Sequence, residues 1–396
     1  MLHGDQGPGV AKAMEIIVAL GRIYEAERLV PVTSVQVSGV SYRNLGEAGL
    51  AFLREWSDEG ARARIPATLN PAGIDLDAWQ VLGFSDEFAR RQAAVVDAYE
   101  QLGVRPTCTC TPYLIGNRPQ VGEHVAWAES SAVSYANSVL GARTNREGGP
   151  SAMAAAVTGR TAAYGLHLDT ARRASLEVDV ACPVRNLADF GALGYLVGKR
   201  AQNRVPFFRV GSSGLGTCTE AELKALGAAM AASGAVALYH VEGVTPEADR
   251  LDTLLPDREI YRVDDLGPAF AALDADAREI DLVWFGCPHA SLDEIRQVSK
   301  LLGDRRISSH LWITTSRHVR RLAAHEGLVD AIEMSGGRVV ADMCVVVAPM
   351  QELNYHTLAT PSAKGAAYVP SHAGLLVRYG TVEQCIEAAV TGLWPV

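Results

Sequence analysis

Long apolar runs are missing from this chain of 396 residues. No uninterrupted stretch reaches the roughly 18–20 residues that a membrane-spanning helix needs. Basic clusters are missing as well. The net charge is −9, and no basic run or basic patch interleaved with aromatics occurs, which argues against nucleic acid as the natural partner. Lysine is scarce: five of the 36 basic residues are Lys. Close Cys-X-X-Cys pairs are absent, which excludes a zinc ribbon. Seven cysteines, an odd number spread over a long chain, fit reduced thiols better than a disulfide framework. The N-terminus, Met1 to Gly7, lacks the charged and apolar blocks of a signal peptide, so a cytoplasmic protein is expected.

What is present reads as an ordinary compact globule, 48% apolar and 20% charged. The length calls for two or three layered units. Apolar residues recur at helical spacing from Val10 to Glu27, and strands are expected at Leu29–Val32 and Val35–Val37. Helices follow at 46–59, 87–102, 220–233, 292–302 and from Ser316 through His325. Buried strands are expected over Gly234–His240, Ile280–Phe285 and Leu311–Thr315. Helices and strands alternate, with Gly- and Pro-bearing loops at strand ends, so the fold class is α/β. A Gly/Ala/Arg-rich region within 151–206 is the expected junction between two units.

One stretch is too polar for an ordinary core. Thr109–Tyr113, Trp127–Ser131 and Asn137–Arg146 crowd a thiol, a carboxylate, two arginines, two asparagines and several hydroxyls together. Glu129 with Arg143 and Arg146 makes either a buried structural pair or a bidentate grip on a small carboxylic acid. Asn137 and Asn145 add orienting hydrogen bonds under both readings. Ser38-Gly39-Val40-Ser41 is a turn that could also offer N–H groups and hydroxyls to an anion. Gly211–Gly216 is superficially nucleotide-binding but lacks the strand–loop–helix context.

The cysteines divide. Cys182, Cys218 and Cys385 have no clustered polar neighbours in sequence and read as inert buried thiols. Cys108 and Cys110 form a Cys-X-Cys pair, Cys287 falls at a strand end, and Cys344 follows Gly-Gly-Arg and Asp342. Thiols in three distant loops suit a metal or cluster assembled by the fold. Three thiolates would leave one iron position open as a Lewis acid. A Cys287–His289 nucleophilic pair and a purely structural thiol set are the competing readings.

The runs Thr109–Tyr113, Ala126–Val133, Asn137–Asn145, Gly286–His289, Gly243–Ala248 and Leu69–Gly73 resemble the aconitase X family, over nearly the whole chain. The C-terminal half is also similar to the wider aconitase and isopropylmalate isomerase superfamily. The resemblance implies aconitase-like α/β/α layers over residues 1–396 and hydro-lyase chemistry on a small hydroxy acid at an iron site. It makes Cys110, Cys287 and Cys344 the ligands of a 2Fe-2S or 4Fe-4S cluster or of a mononuclear iron. It places Gly39, Val40, Ser41, Asn70 and Pro71 against substrate. With Ser38, Glu129, Arg143 and Asn145 these form the expected binding set. Two departures stand out. Val345–Val347 lacks the second cysteine of aconitases proper, and Gln36 stands where a histidine is expected.

The family's small swivelling domain, which carries a serine proposed as the base, has no counterpart in this chain. A separate small subunit is therefore the expected partner. The resemblance leaves two substrates, cis-3-hydroxy-L-proline and mevalonate 5-phosphate. Richness in Ala, Arg and Gly with little Lys suggests a GC-rich bacterial genome. The first reading is therefore dehydration of cis-3-hydroxy-L-proline to Δ1-pyrroline-2-carboxylate, with mevalonate 5-phosphate as the alternative. A non-catalytic iron-binding or redox-sensing protein is the reading from another class.

Overall fold

The structure, a computed structural model, describes residues 1–210, 218–250 and 252–395. The glycine-rich run Gly211–Gly216 lies outside them. Among the described residues no helix is long and apolar enough to cross a membrane.

Residues up to about 170 build a small parallel sheet edged by a ribbon. The strands are β1 (Leu29–Pro31), β2 (Val35–Val37), β3 (Ala67–Leu69), β4 (Ala126–Trp127) and β5 (Arg160–Ala162). β2 lies between β3 and β4, parallel to both, and β1 pairs antiparallel with β5. The helices Pro8–Ile23, Tyr42–Asp58, Asp86–Gln101 and Gly149–Thr158 bury their apolar sides around this sheet, with Ile17, Trp56, Leu69, Leu102 and Met153 at the centre. The helix at Asp86–Gln101 starts where chemistry allows: the Ser85 side chain accepts from the Phe88 N–H, and Asp86 and Glu87 face the positive end of the dipole.

A second parallel sheet has the order β8-β7-β6-β9, from β6 (Ala174–Val180), β7 (Pro206–Arg209), β8 (His240–Val241) and β9 (Leu254–Val263). The strand expected over Gly234–His240 is confined to its last residue and Val241. Ala235 takes a positive φ of 56° and ends the helix Glu220–Gly234. Beyond it, Asn137 Nδ2 donates to the Ala237 carbonyl (2.9 Å) and the Tyr239 N–H donates to Ser138 Oγ (2.9 Å). Side chains of the helix Ser130–Ser138 thus take the hydrogen bonds a ladder would have made.

The third sheet holds β10 (Leu282–Phe285), β11 (His310–Thr315), β12 (Arg338–Ala341), β13 (Thr357–Thr360) and β14 (Leu376–Tyr379), all parallel, in the order β12-β11-β10-β13-β14. Both faces are covered. Leu282 and Trp284 point into a core shared with the second unit, whereas Val283 and Phe285 point into a core formed with the helices Leu292–Leu302, Arg317–His325 and Val382–Thr391. That is why the strand reads Leu-Val-Trp-Phe without polar alternation. Strand order reverses between β10 and β13, which leaves a crevice at their carboxyl ends.

Arg172 locks the first unit to the second. It is buried, and its guanidinium donates to Glu247 Oε2 (2.8 Å), Asn137 Oδ1 (3.1 Å) and the carbonyls of Leu166 (3.0 Å), Asn137 (3.1 Å) and Ala142 (3.1 Å). All five of its donors are in use. Arg172→Met leaves Glu247 buried without its main partner, so urea denaturation should show a loss of about 3–5 kcal/mol. An unchanged midpoint would show that the network does not hold the units together.

Candidate active site

The carboxyl ends of the first and third sheets face each other, and the chemistry-bearing residues collect between them. Asn70 and Pro71 follow β3, Glu129 follows β4, Cys287 follows β10 at the reversal of strand order, and Cys344 follows β12. Cys110 comes from the loop between Gln101 and Pro112. Hydrogen bonds stitch the two halves: the Ala72 N–H donates to the Asp342 carbonyl (2.8 Å), the Cys344 N–H to the Ala72 carbonyl (3.2 Å), and the Ser41 hydroxyl to the Val347 carbonyl (2.8 Å).

A cavity of about 240 Å³ lies at this junction, and Asn70, Pro71, Cys110, Glu129, Cys287 and Cys344 all line it. Its wall also carries Lys364 and Arg146. Lys364 lies in the first turn of the helix Ala363–Ala373 after β13 and is buried. It forms an ion pair with Glu129, and its Nζ lies 3.1 Å from Ser131 Oγ. Asn70 Nδ2 donates to the other Glu129 oxygen (2.8 Å). Burial works against the Glu129 carboxylate, but the charge and hydrogen bond of Lys364, the bond from Asn70 and the charge of Arg146 hold its pKa down to about 2. Sequence reasoning passed over Lys364. Its rarity was the available signal, because two of the five lysines, Lys224 and Lys364, are buried.

Two expected binding residues face elsewhere. Arg143 pairs with Asp169 and donates to the His167 carbonyl (3.1 Å). Asn145 donates to the Tyr164 carbonyl (3.0 Å) and accepts from the Leu166 N–H (2.9 Å). Both brace the 164–169 turn, and neither lines the cavity. Arg146, three residues on from Arg143, reaches it instead. The loop Ser38-Gly39-Val40-Ser41 stands at the end of β2, but none of its four residues lines the cavity. Val40 is buried in the first core, and Ser41 is spent on the Val347 carbonyl. Gln36 is buried and donates from Nε2 to the Thr109 carbonyl (3.0 Å), next to Cys110.

The three thiols share one electrostatic environment. Burial pushes Cys110 up to about 12, with the Glu129 charge adding to it. Burial likewise raises Cys287 against the opposing charge of Lys364. Cys344 lies well above the ordinary thiol value through burial and then through Cys287 and Cys110. Thiols so placed stay protonated unless a cation takes the place of the protons. Among the described residues no three His, Cys, Asp or Glu side chains stand close enough to hold a single ion between them. Three soft sulfur donors in the wall of one cavity are the donor type that an iron site takes. Cys108 is buried in the first core instead, and Cys385 in the third.

Buried imidazoles make the fold acid-sensitive. Burial lowers His167 to about 3 and His289 to about 4, and lowers His240 as well. An unfolded histidine titrates near 6.5, so on acidification the unfolded chain takes up protons first. The contribution is complete above about pH 6.5 and is lost progressively as pH falls toward 4 and 3. Between pH 7 and pH 5 His167 and His289 should each remove roughly 2 kcal/mol of stability. Urea midpoints at the two pH values test this, and equal midpoints would contradict the burial of neutral rings.

Comparison with known proteins places this geometry. Models of the aconitase X first, second and third domains match residues 1–170, 174–266 and 280–391. The chain is 52% identical over 379 residues to the phosphomevalonate dehydratase large subunit of Methanothermobacter thermautotrophicus, covering 95% of this chain and 93% of that one. It is 35% identical to the cis-3-hydroxy-L-proline dehydratase of Pseudomonas aeruginosa, covering 100% of this chain and 69% of that one. The crystal structure of Thermococcus kodakaraensis aconitase X in its holo-form superposes with a TM-score of 0.91 at 46% identity, covering 98% of this chain and 97% of that one. The non-catalytic reading gives way to these dehydratases. Four phosphomevalonate dehydratase large subunits lie between 43% and 52% identity, above both hydroxyproline enzymes, so the hydroxyproline preference drawn from composition yields to its alternative. Low lysine content describes a genome's bias and carries no information about a substrate. The three domain models, the dehydratase relatives and the shared fold make this chain a member of the aconitase X family and a hydro-lyase.

Proposed function

We propose that the chain is the large subunit of a mevalonate 5-phosphate dehydratase that acts with a small swivelling-domain subunit. The observation that carries this reading is the 52% identity to a phosphomevalonate dehydratase large subunit across 95% of this chain. The cavity chemistry supports it. A phosphorylated hydroxy acid brings two anionic groups, and Arg146 supplies a cation in the wall beside the amides of Asn44 and Asn70, while the charge of Lys364 is matched by Glu129.

Cys110, Cys287 and Cys344 would hold an iron–sulfur group, and when bound it supplies a Lewis acid for the departing hydroxyl. The chain's own residues do the rest. Glu129, kept ionised by Lys364 and Asn70, fixes the polar side of the cavity, and Arg146 binds an anionic end of the substrate. Loss of water from a 3-hydroxy acid removes a proton from the carbon next to the carboxylate, which leaves an α,β-unsaturated acid. The base for that proton is assigned to the small subunit, as a serine that reaches the cavity when the two chains close.

The test is direct. Large and small chains are purified together, loaded with iron and sulfide without oxygen, and assayed for water loss. Turnover of mevalonate 5-phosphate should exceed that of cis-3-hydroxy-L-proline by at least about 100-fold in kcat/KM, a difference of roughly 2.7 kcal/mol. Preference for hydroxyproline, or no turnover of either acid, would overturn the assignment.

A further inference from the structure

His289 is fully buried and touches all three cysteine loops at once. It follows Cys287 by two residues. Its backbone N–H donates to Cys110 Sγ (3.2 Å). One ring nitrogen, Nδ1, lies 2.9 Å from Thr109 Oγ1, beside Cys110. The other, Nε2, lies 2.8 Å from the Met343 carbonyl, beside Cys344. Since a carbonyl only accepts, Nε2 carries the proton, and Nδ1 of the neutral ring accepts from the threonine hydroxyl. The network continues outward: Thr109 Oγ1 also accepts from the Thr111 N–H (3.2 Å), and Gln36 holds the Thr109 carbonyl.

Loops normally move independently. Here one ring and one N–H join the loops of residues 110, 287 and 344 directly, beside the bonds that Ala72 and Gln36 make to two of them. A rigid aromatic side chain with a donor on one edge and an acceptor on the other sets a distance that a flexible side chain would not. Asp342 gives the third loop its shape by taking a positive φ of 63°, and Arg317 binds its carboxylate from Nε (2.9 Å). Arg317 also donates to Asp75 Oδ1 (3.1 Å), so the Cys344 turn is clamped on its far side to the first unit.

We infer that His289 is a positioning residue that holds the Cys110, Cys287 and Cys344 loops in register, so that the three sulfurs act as one ligand set. The inference rests on the proposed role of the thiols in holding iron. The ring does not line the cavity, and it acts through Thr109 and Met343.

Two near-isosteres separate its two contacts. In His289→Gln the amide N–H stands in for Nε2 and keeps the Met343 bond while the Thr109 bond is lost. In His289→Asn the side-chain oxygen stands in for Nδ1 and keeps Thr109 while Met343 is released. Amide hydrogen exchange on the iron-free full-length chain should quicken at least tenfold at Thr109–Thr111 in the Gln variant and at Met343–Val345 in the Asn variant. Thr109→Val, which removes only a hydroxyl, should reproduce the Gln pattern. Iron release from the loaded chain to an excess chelator should quicken at least tenfold in all three. Uniform exchange across both loops, or iron release at the parent rate, would overturn the inference. A parent chain that takes up no iron would sink the proposed function and with it the ligand set, while exchange still reports whether the ring ties the loops.

Discussion

Replacing Lys364 by methionine should reduce kcat/KM by at least about 100-fold, the scale of losing one preorganised charge at a reaction centre. Lys364 is buried against Glu129 and Ser131, and its charge also bears on Cys110 and Cys287. Its ammonium is held protonated by Glu129 against the burial that opposes it. Removing it leaves a buried carboxylate with Asn70, nearby hydroxyls and the more distant charge of Arg146, a change worth about 3–5 kcal/mol of stability. Glu129 should then titrate well above its present value of about 2. The sign matters for pH. In the parent the depressed carboxylate contributes stability above the unfolded value near 4.3, and this is lost only as pH falls toward 2. In the variant most of that contribution disappears, because burial then acts on Glu129 without the Lys364 charge against it. Adding Glu129→Gln to Lys364→Met removes the stranded charge, so it should restore most of the stability and none of the turnover. Turnover within threefold of the parent in the single variant would remove Lys364 from the site.

Serine in place of Cys110, Cys287 or Cys344 should each abolish the visible absorbance of the iron-loaded chain and reduce turnover more than about 100-fold, because the remaining two thiolates cannot hold the group in place. Alanine at Cys385, buried in the core on the far side of the third sheet, should leave both unchanged and cost about 1–2 kcal/mol in stability. The contrast guards against a general folding defect. A single serine variant that keeps parent absorbance and iron content would remove that cysteine from the ligand set. Loss at Cys108 and not at Cys110 would show that the wrong member of the pair had been chosen, although Cys108 is buried in the first core.

Several elements could be read without coordinates because their causes are local. Ser291 caps the helix Leu292–Leu302 and Glu294 closes the capping box, both within four residues of one another. The apolar run Leu282–Phe285 marks a strand covered on both faces wherever it lies in the chain. The strand expected over Gly234–His240 failed because its partners are the side chains of Asn137 and Ser138, about a hundred residues away, and no local pattern announces them. Arg143 and Asn145 were natural choices beside Glu129 in sequence. Yet the extended backbone after Gly141 sends successive side chains to different faces, so Arg146 reaches the cavity and the other two brace a turn.

The α/β class and the aconitase X resemblance, with the three cysteines that the resemblance points to, were legible in one dimension. These depend on residue identity, periodicity and motif length, all of which survive in one dimension. Only the tertiary structure decided that Cys110, Cys287 and Cys344 share a cavity, that Lys364 neutralises Glu129 and that His289 spans the three loops. The reason is geometric. Parallel strands place their carboxyl ends together regardless of separation in the chain, so the charges and hydrogen bonds that make the site exist only after the first and third sheets have met.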